Sequence, residues 1–285
     1  IQTALERVAG PAKVSVVENG PVRAVLRVER SLGKSVFIQD ITLTAGGRRV
    51  DVVNRIDWHS PGRLLKASFS LEAGNPSATY DLQLGVIERM NNTENLYEVP
   101  GHQWADITDS SGGFGLAVLN DCKYGWDKPA DNRLRLTLIH TPIGEEDLDQ
   151  GLNDFTWSLY PHEGGWREAD VVREAARLNQ PLFAMQVEQH GGPLGRSLSL
   201  LEMRGERVGL MALKKSEKGD RLVIRVRELD GKDREMVQLK LPRRIKGAWE
   251  LNGQEDEKGG AGYEDRMLKF DIGGYGIKTL AVELD

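Results

Sequence analysis

The chain has 285 residues, with 38 Lys and Arg against 43 Asp and Glu and a formal net charge of −5. That length allows a sizeable core in one large β-domain or two smaller ones. A surface of mixed charge without a basic excess gives nucleic acid no footing. No apolar run reaches the length of a membrane span, and no signal-peptide pattern is read at the start. The single cysteine, Cys122, excludes an internal disulfide framework; a cytoplasmic setting is expected in preference to a secreted one. The sequence opens at Ile1 rather than Met and enters a charged segment at once, as processing or a piece of a longer protein would give.

Abundant glycine and few long helical periods predict β-structure. Strands are expected over Lys13–Glu18, Val22–Glu29, Val36–Leu43 and Arg49–Trp58. Apolar and charged residues nearly alternate in Val22–Glu29, as in a strand with one wet face. Asn19-Gly20-Pro21 and Ala45-Gly46-Gly47 are hairpin punctuation, so an antiparallel meander is the economical arrangement. After the turn Ser60-Pro61-Gly62, Leu65, Ala67, Phe69 and Leu71 alternate. Tyr80–Ile87 reads as a further strand and Asn91–Asn95 as a polar loop. Asn91-Asn92-Thr93 matches the glycosylation acceptor pattern, which carries little weight without a secretory context.

Tyr97–Pro142 is the stretch richest in chemistry. His102, Trp104 and Asp106 lie close in sequence; the apolar strand Phe114–Leu119 runs into the polar turn Asn120–Gly125, and the strand Arg133–His140 follows. Polar groups gathered at a strand turn are how a β-scaffold presents a site. An acidic loop, Gly144–Gln150, leads to a strand at Asp154–Tyr160. Val171, Val172, Ala175 and Leu178 predict a helix over Trp166–Leu178, stopped by Pro181. Gln189–Gly195 is rich in breakers and sets the expected boundary between a domain of residues 1–193 and one of 194–285. Short runs from Ser197–Met203 to Ile277–Leu284 then suggest a small β-sandwich.

His102 and Asp106 would share a helix face, but the surrounding text reads as strand or loop, where they stand two pleat repeats apart. No set of three or four ligands is spaced for zinc, so no metal site is assigned. Cys122 sits between Asp121 and Lys123, and most cysteines so placed are ordinary. No G-x-S-x-G elbow occurs, and Gly112-Gly113 and Gly273-Gly274 lack the context for phosphate binding and read as turns. Trp104, Tyr124 and Trp126 with Asn120, Asp121 and Asp127 supply the aromatic faces and planar hydrogen-bonding groups that hold sugars, although a tryptophan-rich core edge beside an Asn-Asp turn has the same composition.

These residues also carry a family resemblance. Ile56-Asp57-Trp58-His59 with Leu64–Phe69 (LLKASF) resembles a block of the glycoside hydrolase family 38 α-mannosidases. Tyr97–Asp106 (YEVPGHQWAD) is similar to that family's E-V-P-x-H-R-W-A-D segment, with Gln103 where Arg is usual. Gly115–Gly125 (GLAVLNDCKYG) resembles G-V-A-L-L-N-D-C-K-Y-G. Asp149-Gln150-Gly151 with Phe155–His162, then Trp166–Ala169 and Leu178–Leu182, continue the match, with Asn153 near the usual His; Phe270–Leu280 is similar to the family's closing strand.

All these blocks belong to the C-terminal region of that family. The resemblance implies an all-β fold, a large antiparallel β-supersandwich of galactose mutarotase type followed by a smaller β-sandwich. It further implies a retaining exo-α-mannosidase whose zinc and aspartate nucleophile lie in an N-terminal domain followed by a helical one, so no catalytic or metal-binding residue is assigned here. The partners it implies are those domains of the same polypeptide and mannose-containing glycans. His102, Trp104, Asp121, Lys123 and Tyr124 are the candidate substrate-binding residues. Two other readings are a stand-alone carbohydrate-binding module and a mutarotase-like enzyme in which His102 and Asp121 would converge.

Overall fold

A computed structural model describes residues 6–145, 147–205 and 207–285. Ile1 and Glu146 of the acidic loop lie outside the described residues. The chain divides into two compact units, Ile1–Leu182 and Phe183–Asp285. The division falls ahead of Gln189–Gly195, within a stretch, residues 181–200, that forms neither helix nor strand.

In the first unit the strands are β1 (Lys13–Asn19), β2 (Arg23–Leu32), β3 (Ser35–Thr44), β4 (Val50–Trp58), β5 (Leu64–Ser70), β6 (Ser77–Asp81) and β7 (Val86–Met90). They continue as β8 (Val99–Pro100), β9 (Trp104–Thr108), β10 (Phe114–Asn120), β11 (Gly125–Ala130), β12 (Arg133–His140) and β13 (Gly151–Glu163), before helix α1 (Val171–Asn179). A nine-stranded sheet runs β1-β2-β3-β4-β13-β10-β9-β6-β7, and a four-stranded sheet runs β5-β12-β11-β8. The pairings are antiparallel, as the meander predicts.

Two expected elements are shorter than their patterns suggest. Tyr80–Ile87 is a hairpin rather than one strand. Asp81 accepts the Gln83 amide at 3.2 Å, Gln83 takes φ 68°, and the Leu82 amide reaches the Gly85 carbonyl at 2.9 Å. The helix begins at Val171 rather than Trp166, because Asp170 sits in the left-handed region at φ 58° and the preceding residues form turns.

Strand alternation places the core. Ile56, Trp58, Tyr80, Ile107, Val118 and Phe155 of the large sheet face Phe69, Trp126, Leu134 and Leu136 of the small one, forming one buried cluster. Their neighbours in sequence point the other way. Trp104, Ala117, Leu119 and Tyr160 line the outer face of the large sheet and are covered by Trp166, Val171 and Ala175. Both faces are therefore buried in the middle of this sheet, so the text Leu116–Leu119 is continuously apolar where a half-wet strand would alternate.

Trp104 Nε1 and Trp157 Nε1 are buried without a hydrogen-bond partner, whereas the buried ionisable groups Asp106, His162 and Lys128 are paired. On the outer face, His162 of β13 bonds Asp106 of β9 through Nε2 at 2.7 Å, and its Nδ1 faces the Gly164 carbonyl at 3.2 Å. Both neighbours offer oxygen acceptors, an arrangement that favours the doubly protonated ring. Burial opposes that charge, but the hydrogen bond and negative charge of Asp106 outweigh it, and the His162 pKa is raised. Lys128 is fully buried, its Nζ donating to Asn75 O (2.5 Å), Asn91 Oδ1 (2.6 Å), Ala130 O (3.1 Å) and Asp131 O (3.1 Å); its pKa is lowered by burial.

The second unit holds β14 (Glu202–Arg204), β15 (Val208–Lys215), β16 (Leu222–Glu228), β17 (Arg234–Lys240) and β18 (Ile245–Leu251). It is completed by β19 (Glu257–Gly260), β20 (Gly262–Glu264), β21 (Met267–Ile272) and β22 (Ile277–Leu284). Sheets β14-β17-β21-β20 and β15-β16-β22-β18-β19 enclose Ile224, Val226, Leu239, Leu268 and Leu280. One Glu228 oxygen, Oε2, accepts the amides of Gly231 (2.7 Å) and Tyr275 (3.0 Å), which pins two turns together. A Cβ on Gly274 would lie 2.6 Å from the Gly231 carbonyl, so Gly273-Gly274 is a close-packed turn. The expected strand Ser197–Met203 contracts to the three residues of β14.

Two outcomes follow for the outer layer. A Cβ at Gly115 would sit 2.6 Å from His162 Cε1, so Gly115→Ala should lower stability by about 1–3 kcal/mol in urea titration through overpacking. Because its folded pKa is raised, the His162 contribution to stability is complete below the unfolded pKa near 6.5 and is lost as pH rises through the folded value. The stability difference between the wild-type chain and His162→Gln should therefore shrink as pH is raised above 6.5.

Candidate functional site

The chain passes between the two sheets of the first unit twice at neighbouring places. The first crossing, Gly101–Gln103, joins β8 to β9; the second, Asp121–Tyr124, joins β10 to β11. Asn120 locks them together. Its Oδ1 accepts the amides of Cys122 (3.1 Å) and Lys123 (2.6 Å), and its Nδ2 donates to the His102 carbonyl at 2.9 Å. Its own amide reaches the Gln103 carbonyl at 2.8 Å. Asp81 fixes the first crossing from the other side, accepting the His102 amide at its carbonyl (2.8 Å) and the Gln103 amide at its carboxylate (3.0 Å). The Gly101 amide donates to the Tyr124 carbonyl at 3.0 Å. A Cβ at Gly101 would lie 2.9 Å from the Trp126 ring, so the close approach requires glycine.

Four of the five candidate residues share this edge. The rings of His102 and Tyr124 meet edge to face at 5.6 Å, and Tyr124 is 58% exposed. The Lys123 ammonium lies 4.5 Å from the centre of the Phe155 ring. Asp121 is exposed and accepts the Thr156 amide at 2.9 Å. Trp104 is set apart: it is 1% exposed and packs against Trp166 beneath helix α1, with ring centres 5.2 Å apart. Strand parity turns its ring away from the loop, so it offers no face to a ligand there. Among the described residues, no hydrogen bond or ion pair joins His102 to Asp121.

Cys122 reaches the surface, yet its thiol is pushed up to about 11 by partial burial, then by its hydrogen bond to Asp121 and that group's charge. It is a neutral thiol near pH 7 rather than a nucleophile. Asp106, a neighbour of His102 in sequence, turns to His162 instead. Among the described residues no group of three or more His, Cys, Asp or Glu could hold a metal ion, so these donors do not fit a zinc centre.

The sequence reading set Asp127 among sugar-holding groups and missed its ionic partners on the outer face of the small sheet. Asp127, fully buried, bonds Lys66 Nζ at 2.6 Å and Arg135 Nε at 2.5 Å. Lys66 also reaches Glu98 at 2.7 Å, and Arg135 donates to the Tyr97 hydroxyl at 2.8 Å. Register carries the signal, since Asp127 and Arg135 are direct partners in the β11–β12 ladder. With both carboxylates held by cations, this is a structural network and not a free acid–base pair. A recess of about 280 Å³ beside Lys214 and Arg225 and one of about 410 Å³ beside Asp233 and Arg234 are lined by second-unit residues alone.

Comparison with known proteins fits this geometry. Residues 2–147 match the glycosyl hydrolases family 38 C-terminal domain, and residues 207–280 match the family 38 C-terminal beta sandwich domain. The chain belongs to glycosyl hydrolase family 38. It is 31% identical over 256 residues to mouse alpha-mannosidase 2C1, covering 86% of this chain and 24% of the relative. It is 30% identical over 228 residues to alpha-mannosidase G of Dictyostelium discoideum, covering 76% and 21%. This family 38 chain thus spans about a quarter of the length of those curated relatives. The crystal structure of an alpha-mannosidase from Enterococcus faecalis V583 superposes with a TM-score of 0.79 at 16% identity, over 95% of this chain and 35% of that one, and shares the fold. No helix among the described residues is long and apolar enough to cross a membrane.

The locked crossing yields two measurable outcomes. Asn120→Ala strands two amides and a carbonyl and should cost about 1–3 kcal/mol in denaturant unfolding. With its thiol held up to about 11, Cys122 should be alkylated by iodoacetamide at pH 7.5 more slowly than free cysteine, and an equal or faster rate would refute the assignment.

Proposed function

We propose that this chain is the C-terminal β-region of a retaining exo-α-mannosidase, which removes terminal α-mannosyl residues. In this reading it buttresses a preceding zinc-dependent catalytic domain and a helical domain of the same polypeptide, and lends one wall to the sugar site. The carrying observation is that both matched family domains are C-terminal ones, while relatives named α-mannosidases extend to about four times the matched length. The chemistry agrees, because Asp127 and Glu98 are held by Lys66 and Asp106 by the His162 ring. Tyr124, with His102 at its edge, is the aromatic face that would meet the mannose-containing glycan, with Asp121 and Lys123 beside it. Any zinc would be held by the preceding domain.

The isolated chain should release no nitrophenol from a nitrophenyl α-mannoside, while the polypeptide carrying the preceding region should do so. Turnover by the isolated chain at ordinary enzyme rates, about 1–1000 per second, would overturn the reading. In the active polypeptide, Tyr124→Ala should lower kcat/KM by roughly tenfold, ~1.4 kcal/mol, with little change in Tm because the ring is exposed. The exposed Tyr124 edge also suits a stand-alone carbohydrate-binding module. That alternative requires calorimetric mannose binding by the isolated chain, lost in Tyr124→Ala.

A further inference from the structure

The nine-stranded sheet is wider than the layer that covers it. Directly paired residues of an antiparallel ladder share a face, so a row can be followed across the sheet. Val16, Leu26, Ile41, Val52 and Trp157 are successive partners in one such row. Trp157 lies under the small sheet, edge to face with Phe69 at 5.1 Å. From there burial fades outward: Val52 is 3% exposed, Ile41 36%, Leu26 44% and Val16 65%. In the rows on either side, Val14 and Leu43 are exposed as well.

The opposite face of the same strands is mixed, with Val25 and Val36 among charged residues. It carries the ion pairs Lys13–Glu29 at 3.0 Å and Arg27–Asp40 at 2.7 Å. With ion pairs on one face and Val14, Val16, Leu26, Ile41 and Leu43 on the other, β1, β2 and β3 have the pattern of strands buried on one side, yet among the described residues of the first unit none covers Val14, Val16, Leu26 or Leu43. A contiguous bare patch of this kind marks an interaction surface.

We propose that the aliphatic face of β1–β3, centred on Val14, Val16, Leu26 and Leu43, is covered by an apolar surface of the polypeptide region that precedes these domains in family 38 proteins. This rests on the reading above that the chain is the C-terminal part of a longer polypeptide. The occupant is available in bulk, because the curated relatives devote about three quarters of their length to sequence outside the match. The row Val16–Leu26–Ile41–Val52–Trp157 joins this face to the core of its own unit, beside the hydrogen-bonded pair Gln39–Asn54 (2.8 Å) in the next row.

Carbene footprinting of the isolated chain and of the longer polypeptide tests this directly. Labelling of Val14, Val16, Leu26 and Leu43 should fall several-fold in the longer polypeptide, with Val53 and Leu152 on the opposite face as reference. The double variant V16K/L26K should leave the Tm of the isolated chain unchanged, while lowering that of the longer polypeptide and opening it to limited proteolysis. Unchanged labelling in the longer polypeptide overturns the proposal. So does an isolated chain that dimerises through this face, dispersed by V16K/L26K, while the longer polypeptide remains labelled. Footprinting is independent of turnover, so protection in a polypeptide that hydrolyses no α-mannoside would remove the enzymatic reading and leave the docking face standing.

Discussion

The first unit depends on what happens at Asn120. A chain that leaves one sheet for another strips several backbone amides of ladder partners just where the core must stay dry. The Asn120 carboxamide supplies two of those amides with an acceptor and a neighbouring carbonyl with a donor. Its backbone carbonyl accepts Asn179 Nδ2 from the last turn of helix α1 at 3.0 Å, so the same residue also ties down the outer layer. Both crossings, and with them the placement of His102 and Tyr124, depend on one residue whose short polar side chain makes three of these contacts and whose backbone carbonyl makes the fourth.

Around that junction, charge is handled by enclosure. Asp127 has no access to water and lies between Lys66 and Arg135. Such a group contributes little net stability against an apolar replacement, but removing one partner strands the rest at a cost of about 3–5 kcal/mol. Because the pairs link β5, β11 and β12 and reach the segment before β8, they fix the register of the small sheet, and so the height at which the second crossing leaves it. The site edge is positioned by rigid strands on both sides, with its exposed members, Tyr124 and Asp121, at the end of the scaffold.

Much of this was legible in the sequence. Period-2 alternation located β2 and β5, and Gly and Pro punctuation located the β1–β2 and β3–β4 hairpins. The ordered motifs from Ile56 to Leu182 pointed to the family. Legibility failed where a third dimension decides. Tyr80–Ile87 looked like a strand because a carboxylate bonding its own backbone two residues on, at Asp81, is invisible to periodicity. Trp104 looked like a sugar platform because an aromatic beside polar residues reads the same whether it points to solvent or to a helix behind the sheet. The pairing of Asp106 with His162 spans distant segments and needs the β9–β10–β13 register to be seen. Gly115 reads as ordinary strand glycine until the imidazole occupying its missing side chain is placed.

Lys128 shows a different economy. Its ammonium is ringed by oxygens from residues 75, 91, 130 and 131 that accept its hydrogen bonds, a shell of carbonyl and amide oxygens of the kind that ligates calcium. Here the cation is covalently tethered to β11. The segments around it are stapled with no dependence on the ion content of the surroundings and nothing for a chelator to remove. Its cost is permanence: a tethered cation cannot be released as a signal, so this end of the sandwich is built to stay closed.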